Sequence, residues 1–210
     1  MSKNASQLYL LIDAGPSAEA RLSAVLAATR NVAAVLVRAG TVPLDATLAR
    51  PLVEIAQKAN VAALVEGDPA LARALRADGV HLPWSTTLGA QFAEAREVLG
   101  NRYMIGVEIA ANAPDARHQA MEMAEAAADY IAFGPGEAQP DLIAWWAEIF
   151  EVPCVAFDVA DLGAVAALAA DRPEFIAVTL PSGASPADSA AHVAKVVQIL
   201  DDAALSRAGS

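Results

Sequence analysis

The ten residues Leu75-Arg76-Ala77-Asp78-Gly79-Val80-His81-Leu82-Pro83-Trp84 decide how the rest of the chain is read. Asp78-Gly79 is a turn signal, Val80–Leu82 is a very short apolar run, and Pro83 closes it at once. A helix cannot begin and end in so few residues. A strand this short holds only inside a sheet covered on both faces. The chain has 3 histidines, and one of them stands in this run. Its ring either points into a closed sheet near one end or lies outward beneath a helix.

Working outward, similar runs rich in Val, Ile and Leu recur at Leu8–Ile12, Ala33–Val37, Val61–Val65, Tyr103–Val107, Tyr130–Phe133, Cys154–Phe157 and Phe175–Thr179. Ala-rich segments with helical spacing separate them. Asp68-Pro69 supplies an N-cap followed by proline at the first helical position, Thr87–Leu99 is closed by Gly100, and Ser185-Pro186-Ala187-Asp188 reads as a capping box. Eight strands alternating with eight helices, at about 26 residues per unit, are the rhythm of a compact α/β fold, the single (β/α)8 TIM barrel. An open doubly wound sheet is the alternative, but five or six strands would suit it better than eight. With no composition shift or long linker, the barrel is expected over residues 8–204, with loose ends at 1–7 and 205–210.

Composition narrows the function classes. Hydrophobic residues make up 56% of the 210 and aromatics only 5%, a mix dominated by small side chains that let helices pack closely on a sheet. A net charge of −11 argues against nucleic acid or an anionic membrane as partner. The lone Cys154 sits in an apolar run and reads as core. No apolar run reaches membrane-spanning length and the first residues lack a signal-peptide pattern, so the expected location is cytoplasmic.

In such barrels chemistry gathers where strands end. Those positions are Asp13, Arg38, Glu66 with Asp68, His81, Glu108, Gly134-Pro135-Gly136, Asp158 and Ser182-Gly183. Acids outnumber the one firm cation, Arg38, because a histidine is mostly neutral near pH 7.

"LYLLID" at the first strand, Arg38 ending the second, "ADGVHL" at the fourth, "IGVEI" at the fifth and "ADYIAFGPG" at the sixth resemble thiamine-phosphate synthase and its TenI-type relatives, in order, to about Leu180. The resemblance implies a (β/α)8 barrel, and for synthase members a transferase reaction. A pyrimidine diphosphate loses pyrophosphate with Mg²⁺, and a thiazole phosphate captures the resulting cation.

Residue by residue, the chain departs from that pattern. Where the family has Gln-Leu-Arg-x-Lys, this chain has Leu36-Val37-Arg38-Ala39-Gly40. Where the family has Asn-Asp-Arg it has Glu66-Gly67-Asp68, so glycine stands at a metal-binding aspartate's place. Pro83-Trp84-Ser85-Thr86 replaces Gly-Gln-x-Asp, Glu108 replaces a serine, and Gly136-Glu137-Ala138-Gln139-Pro140 lacks a Thr-Lys element. Phe157-Asp158 stands where two glycines would offer amides to a phosphate, leaving Ser182-Gly183 for that role. The histidine of TenI-type tautomerases aligns with Ala110, and His118 lies further on, inside a helix.

Each candidate has two readings. Glu108 is an acid/base group or the partner of Arg38; His81 is a catalyst or a ring satisfied within the barrel wall. Arg38 holds a ligand anion or pairs with Glu66 or Asp13. Asp68 is a metal ligand or, more simply, an N-cap. Asp13, Glu66, Gly134, Gly136, Asp158, Ser182 and Gly183 complete the expected ligand site. The cofactor is left open, since Mg²⁺ is implied by the resemblance while its ligand positions are replaced. The expected partners are a small-molecule ligand and a second copy of the chain, with the Trp145-Trp146 pair facing both the barrel and that copy. Three functions follow: a small-molecule binder without full synthase activity, an active transferase or enzyme on another substrate using Glu108 and Arg38, and a non-catalytic scaffold.

Overall fold

Eight parallel strands close on themselves in chain order, each β-strand hydrogen-bonded to the next and β8 back to β1, in a computed structural model that describes residues 6–208. The strands are β1 Gln7–Asp13, β2 Val32–Arg38, β3 Ala62–Glu66, β4 Gly79–Leu82, β5 Met104–Ile109, β6 Tyr130–Phe133, β7 Cys154–Ala156 and β8 Phe175–Thr179. The helices between and after them are α1 Ala18–Ala28, α2 Ala46–Lys58, α3 Pro69–Leu75, α4 Leu88–Leu99, α5 Ala116–Glu125, α6 Gln139–Ile149, α7 Leu162–Ala170 and α8 Pro186–Ala208. The (β/α)8 barrel expected from the repeat is the architecture found. β1 begins at Gln7 and α8 continues to Ala208, inside the stretches 1–7 and 205–210 expected to be loose; residues 1–5 and 209–210 lie outside the described residues.

Alternation along each strand divides the core in two. Leu8, Leu10 and Ile12 of β1 face the helix layer, while Tyr9 and Leu11 join Leu36, Leu64, Tyr130, Ala132, Val155, Phe157 and Ala177 inside the barrel. Helix stripes match the outer layer. In α2, for example, Ala49, Leu52, Val53 and Ala56 are buried at helical spacing. The helix ends expected at Asp68 and Ser185 form: Asp68 Oδ1 accepts from Leu71 N at 2.8 Å, and Ser185 Oγ accepts from Asp188 N at 3.1 Å. The Asp188 carboxylate takes the Ser185 hydroxyl at 2.7 Å, so this box closes through side chains.

At the foot of the barrel the same device recurs. Asp78 Oδ2 accepts from Ala63 N at 2.8 Å, Asp129 Oδ2 from Ile105 N at 2.7 Å, and Glu174 Oε2 from Cys154 N at 2.8 Å. Each acid precedes an even-numbered strand and satisfies an amide in the first two residues of the odd-numbered strand before it. That is the duty of the aspartates in "ADGVHL" and "ADYIAFGPG": they fasten strands at their N-terminal ends. Two glycines are equally structural. A Cβ on Gly79 would lie 2.2 Å from Met104 O, and one on Gly106 would lie 1.9 Å from Tyr130 Cζ. Tyr130 can cross the barrel interior only because Gly106, its register partner on β5, has no side chain.

Trp146 is fully buried, stacks on Phe150 at 4.0 Å and donates through Nε1 to Val152 O at 2.7 Å. Its neighbour Trp145 is half-buried, with the Arg117 guanidinium 4.9 Å above its ring. Among the described residues no helix is long and apolar enough to cross a membrane.

Candidate functional site

The inward alternation carries straight to the C-terminal mouth. Two residues beyond Leu11, Leu36, Leu64, Gly106 and Ala177 stand Asp13, Arg38, Glu66, Glu108 and Thr179, so these strands deliver their last side chains to one ring. Around Arg38 a network closes. Its Nε donates to Asp13 Oδ1 at 3.0 Å, Nη2 lies 2.9 Å from the same oxygen, and Nη2 donates to Thr179 Oγ1 at 3.2 Å. Thr179 Oγ1 in turn donates to Asp158 Oδ1 at 2.5 Å, and Arg38 Nη1 is 3.8 Å from Asp158 Oδ2. Of the partners expected for Arg38, Asp13 is the one it takes. Asp158 joins from the β7–α7 turn with φ of 51°, a left-handed conformation that aspartate tolerates better than most residues.

Glu66 and Glu108 occupy the other side. Burial raises the Glu66 carboxyl above its ordinary range, Arg38 opposes this, and Glu108, Asp13 and Asp158 push it further up. Glu108 is raised as well, first by burial; the backbone N–H of Trp84 opposes that shift, Asp158 adds to it and Arg38 opposes it. Its Oε1 lies over Gly134, where a Cβ would come within 2.7 Å. Glu108 therefore rests over Gly134, and its pairing with Arg38 as a salt bridge is not among the ion pairs of the described residues. Burial raises the proton affinity of both carboxyls.

His81 lies inside the barrel wall, fully buried, at the register position beside Glu66 and Gly106. Its ring stacks on Phe157 at 4.6 Å and on Tyr130 at 5.8 Å. Nδ1 is 2.9 Å from Tyr130 Oη, which is 3.1 Å from Tyr9 Oη. Burial, helped by the positive charge of Arg38, lowers the imidazole to about 3. The ring is neutral. Burial likewise raises both tyrosines, Tyr130 with help from Tyr9. Nε2 finds no partner among the described residues. If Nδ1 accepts from Tyr130, Tyr130 can accept from Tyr9 and every hydroxyl proton is placed. The opposite tautomer strands the Tyr9 proton, so Nε2–H is the favoured form.

The remaining candidates separate from this cluster. Asp68 caps α3. Gly134 spends its amide on Ile109 O at 2.9 Å, and Gly136 packs on the Asn112 side chain, 2.6 Å from where its Cβ would be. Ser182 and Gly183 lie in the exposed loop ahead of α8, with open space around Gly183. Thr179 and Trp84 were not singled out for the site by sequence. Thr179 is the last inward position of β8, so strand alternation alone could have found it.

The Mg²⁺ implied by the resemblance does not fit these residues. Gly67, at the place of the metal-binding aspartate, has φ of 71° and donates its amide to His81 O at 2.8 Å. The Asp68 carboxylate is engaged in its cap, and at the second ligand's place stands Thr86. Among the described residues no three His, Cys, Asp or Glu side chains gather where a metal could be held.

With the fold and mouth described, relatives place the chain. The family model for thiamine monophosphate synthase (TMP-TENI) matches residues 8–180. The chain belongs to this family. A thiamine-phosphate synthase of Erythrobacter litoralis is 40% identical, the match covering 72% of this chain and 76% of that one. One of Rhodospirillum centenum is 32% identical over 92% of this chain and 97% of its own length. Among solved structures, the thiamine phosphate pyrophosphorylase of Pyrococcus furiosus superposes with a TM-score of 0.76 at 20% identity, covering 96% of this chain and 98% of that one, a likeness of fold.

Proposed function

We propose that this member of the thiamine monophosphate synthase family binds a small molecule at its C-terminal mouth and does not run the family's coupling of a diphosphate to a phosphate. The single observation that carries this is the state of Arg38. Its guanidinium, the mouth's cation, is already held by Asp13 and Asp158, while Glu66 and Glu108 add further acid. A site that must receive a departing pyrophosphate needs uncommitted positive charge. Behind Asp158, a cavity of about 150 Å³ is lined by Asp158, Asp161, Thr179, Pro181 and His192. Two acids on its wall disfavour an anion there.

Turnover with the pyrimidine diphosphate, thiazole phosphate and Mg²⁺ tests the proposal. We expect none above background; an ordinary enzymatic rate, the activity named for the relatives, would overturn it. A second reading keeps an enzyme here with a different substrate. The raised Glu108 carboxyl favours it, being a group able to give and take a proton, with Arg38 as anion holder. A homodimer is proposed as well, meeting at the exposed end of α6, where Ile149 is 61% exposed. A monomeric mass in light scattering would remove it.

A further inference from the structure

At the opposite end of the barrel from the acid mouth, a cavity of about 430 Å³ opens between the starts of β1 and β2 and the second half of α8. That volume lies within the roughly 300–1,000 Å³ of small-molecule pockets. Val32 and Leu200, both buried, and the partly buried Val197 give it an apolar wall, while Arg30 and Asp201 line it with one charge of each sign. Arg30 stands in the turn between α1 and β2, where Thr29 Oγ1 accepts from Asn31 N at 3.2 Å. Asp201 is carried by α8, whose 23 residues bring it back to the foot of the strands.

Two features set this cavity apart from ordinary surface relief. Arg30 and Asp201 line the same space, yet they do not pair with each other, and among the described residues neither side chain has a hydrogen-bond or ion-pair partner. The next acid on α8, Asp202, is by contrast taken by Gln198 Nε2 at 2.8 Å. The second feature is a bulge. β1 pairs Leu8 with Val32 and then Tyr9 with Ala34, and β3 meets β2 only from Ala34 onward, so Ala33 has no register partner on either side. A skipped residue leaves its backbone groups outside the ladder, and Ala33 is on the cavity wall. Opposite charges held apart across an apolar gap attract a molecule that carries both.

We infer that this cavity at the foot of the barrel is a binding site for a small zwitterion with an aliphatic body, of the class of the branched-chain α-amino acids. The ligand's carboxylate lies on the Arg30 guanidinium, which takes carboxylates through paired N–H donors. Its ammonium lies on Asp201, and its aliphatic side chain lies on Val32, Val197 and Leu200, where apolar area leaves water. The peptide groups of Ala33 supply a further donor and acceptor. A singly charged ligand leaves either Arg30 or Asp201 facing no counter-charge, which is the basis of selectivity. A ligand here sits apart from Arg38 and Glu108, so the site stands independently of what the mouth binds.

L-leucine is the probe, titrated by calorimetry into the full chain. Isocaproate, which is leucine without the ammonium, and isopentylamine, which is leucine without the carboxylate, are the controls. We expect saturable one-to-one binding of leucine, with each control at least about tenfold weaker. Arg30→Gln should bring leucine down to the level of the amine, and Asp201→Asn should bring it down to the level of isocaproate. Both residues are exposed, so unchanged melting temperatures separate lost binding from lost fold. Arg50→Gln, which removes an exposed cation on α2, should change nothing. No saturable uptake of leucine overturns the inference. So does equal binding of either control, or a leucine affinity left intact in Arg30→Gln or in Asp201→Asn, since either result would put the ligand elsewhere.

Discussion

Replacing His81 with phenylalanine isolates one buried titration from the rest of the molecule. In the native state the imidazole is held near 3, against 6.5 when exposed. The unfolded chain therefore binds a proton that the folded one refuses as pH falls between those values. Stability is complete above about pH 6.5 and declines as pH falls toward 3. At about 1.4 kcal/mol per pH unit the loss reaches about 3 kcal/mol by pH 4 and about 5 kcal/mol at its end. His81→Phe keeps the stack on Phe157 and Tyr130 and removes the titrating nitrogen. Its cost at pH 8 is one hydrogen bond from Tyr130, about 1 kcal/mol, offset by removal of the unpartnered Nε2. Denaturant unfolding at pH 8, 6, 5 and 4 should show the two proteins close together at pH 8. The variant should then gain on the wild type steadily below pH 6. The carboxyls of Glu66 and Glu108 titrate in both proteins and cancel in the difference. A wild-type-minus-variant difference that stays flat from pH 8 to 4 would refute the reasoning, since it would mean that His81 takes its proton without leaving the barrel wall.

Gly106→Ala places a methyl within 1.9 Å of the Tyr130 ring and should destabilise the fold by at least about 3 kcal/mol in denaturant unfolding, with a second change, Tyr130→Leu, recovering part of the loss. Glu66→Gln should be more stable than the wild type at pH 8, where the raised carboxyl must carry a buried charge, and the advantage should fade as pH falls toward 4; thermal unfolding across that range checks the sign. Asp158→Gly relaxes a left-handed aspartate and leaves Arg38 with Asp13 alone, so inorganic phosphate should bind about tenfold more tightly by calorimetry, and no gain would argue that Asp158 does not hold Arg38 back.

The fold is legible because punctuation and period agree at almost every unit. Tyr130–Phe133 and Phe175–Thr179 are strands with the limits their apolar runs suggest, and Asp68-Pro69 starts α3 as its residue types require. Limits slip where a polar residue ends an inward-facing column. Glu66 and Glu108 belong to β3 and β5, although hydropathy alone ends those runs one residue earlier. The ring of mouth residues is legible too, once alternation is counted from Leu11, Leu36 and Leu64. Pairing within it is not. Whether Arg38 turns to Asp13 or Glu66 depends on where Asp158 and Thr179 stand, and those arrive from strands more than a hundred residues away. His81 shows the same limit. Its strand is readable, but its partner Tyr130 is reached only because Gly106 leaves the barrel interior open between them.

The motifs that reveal ancestry and the residues that decide chemistry are different residues in this chain. Asp78 and Asp129 fasten neighbouring strands at the foot of the barrel and would be needed whatever the mouth does. At the mouth the departures from the family pattern depend on one another. An aspartate in place of a glycine at position 158 adds a charge that Arg38 must answer, and Thr179 supplies the hydroxyl that orients it. Arg38 still draws both opposite carboxyls down, but burial outweighs it and leaves Glu66 and Glu108 raised. Glu108 instead rests its Oε1 over Gly134, where a Cβ would come within 2.7 Å, so the acid and the glycine of the sixth-strand motif depend on one another.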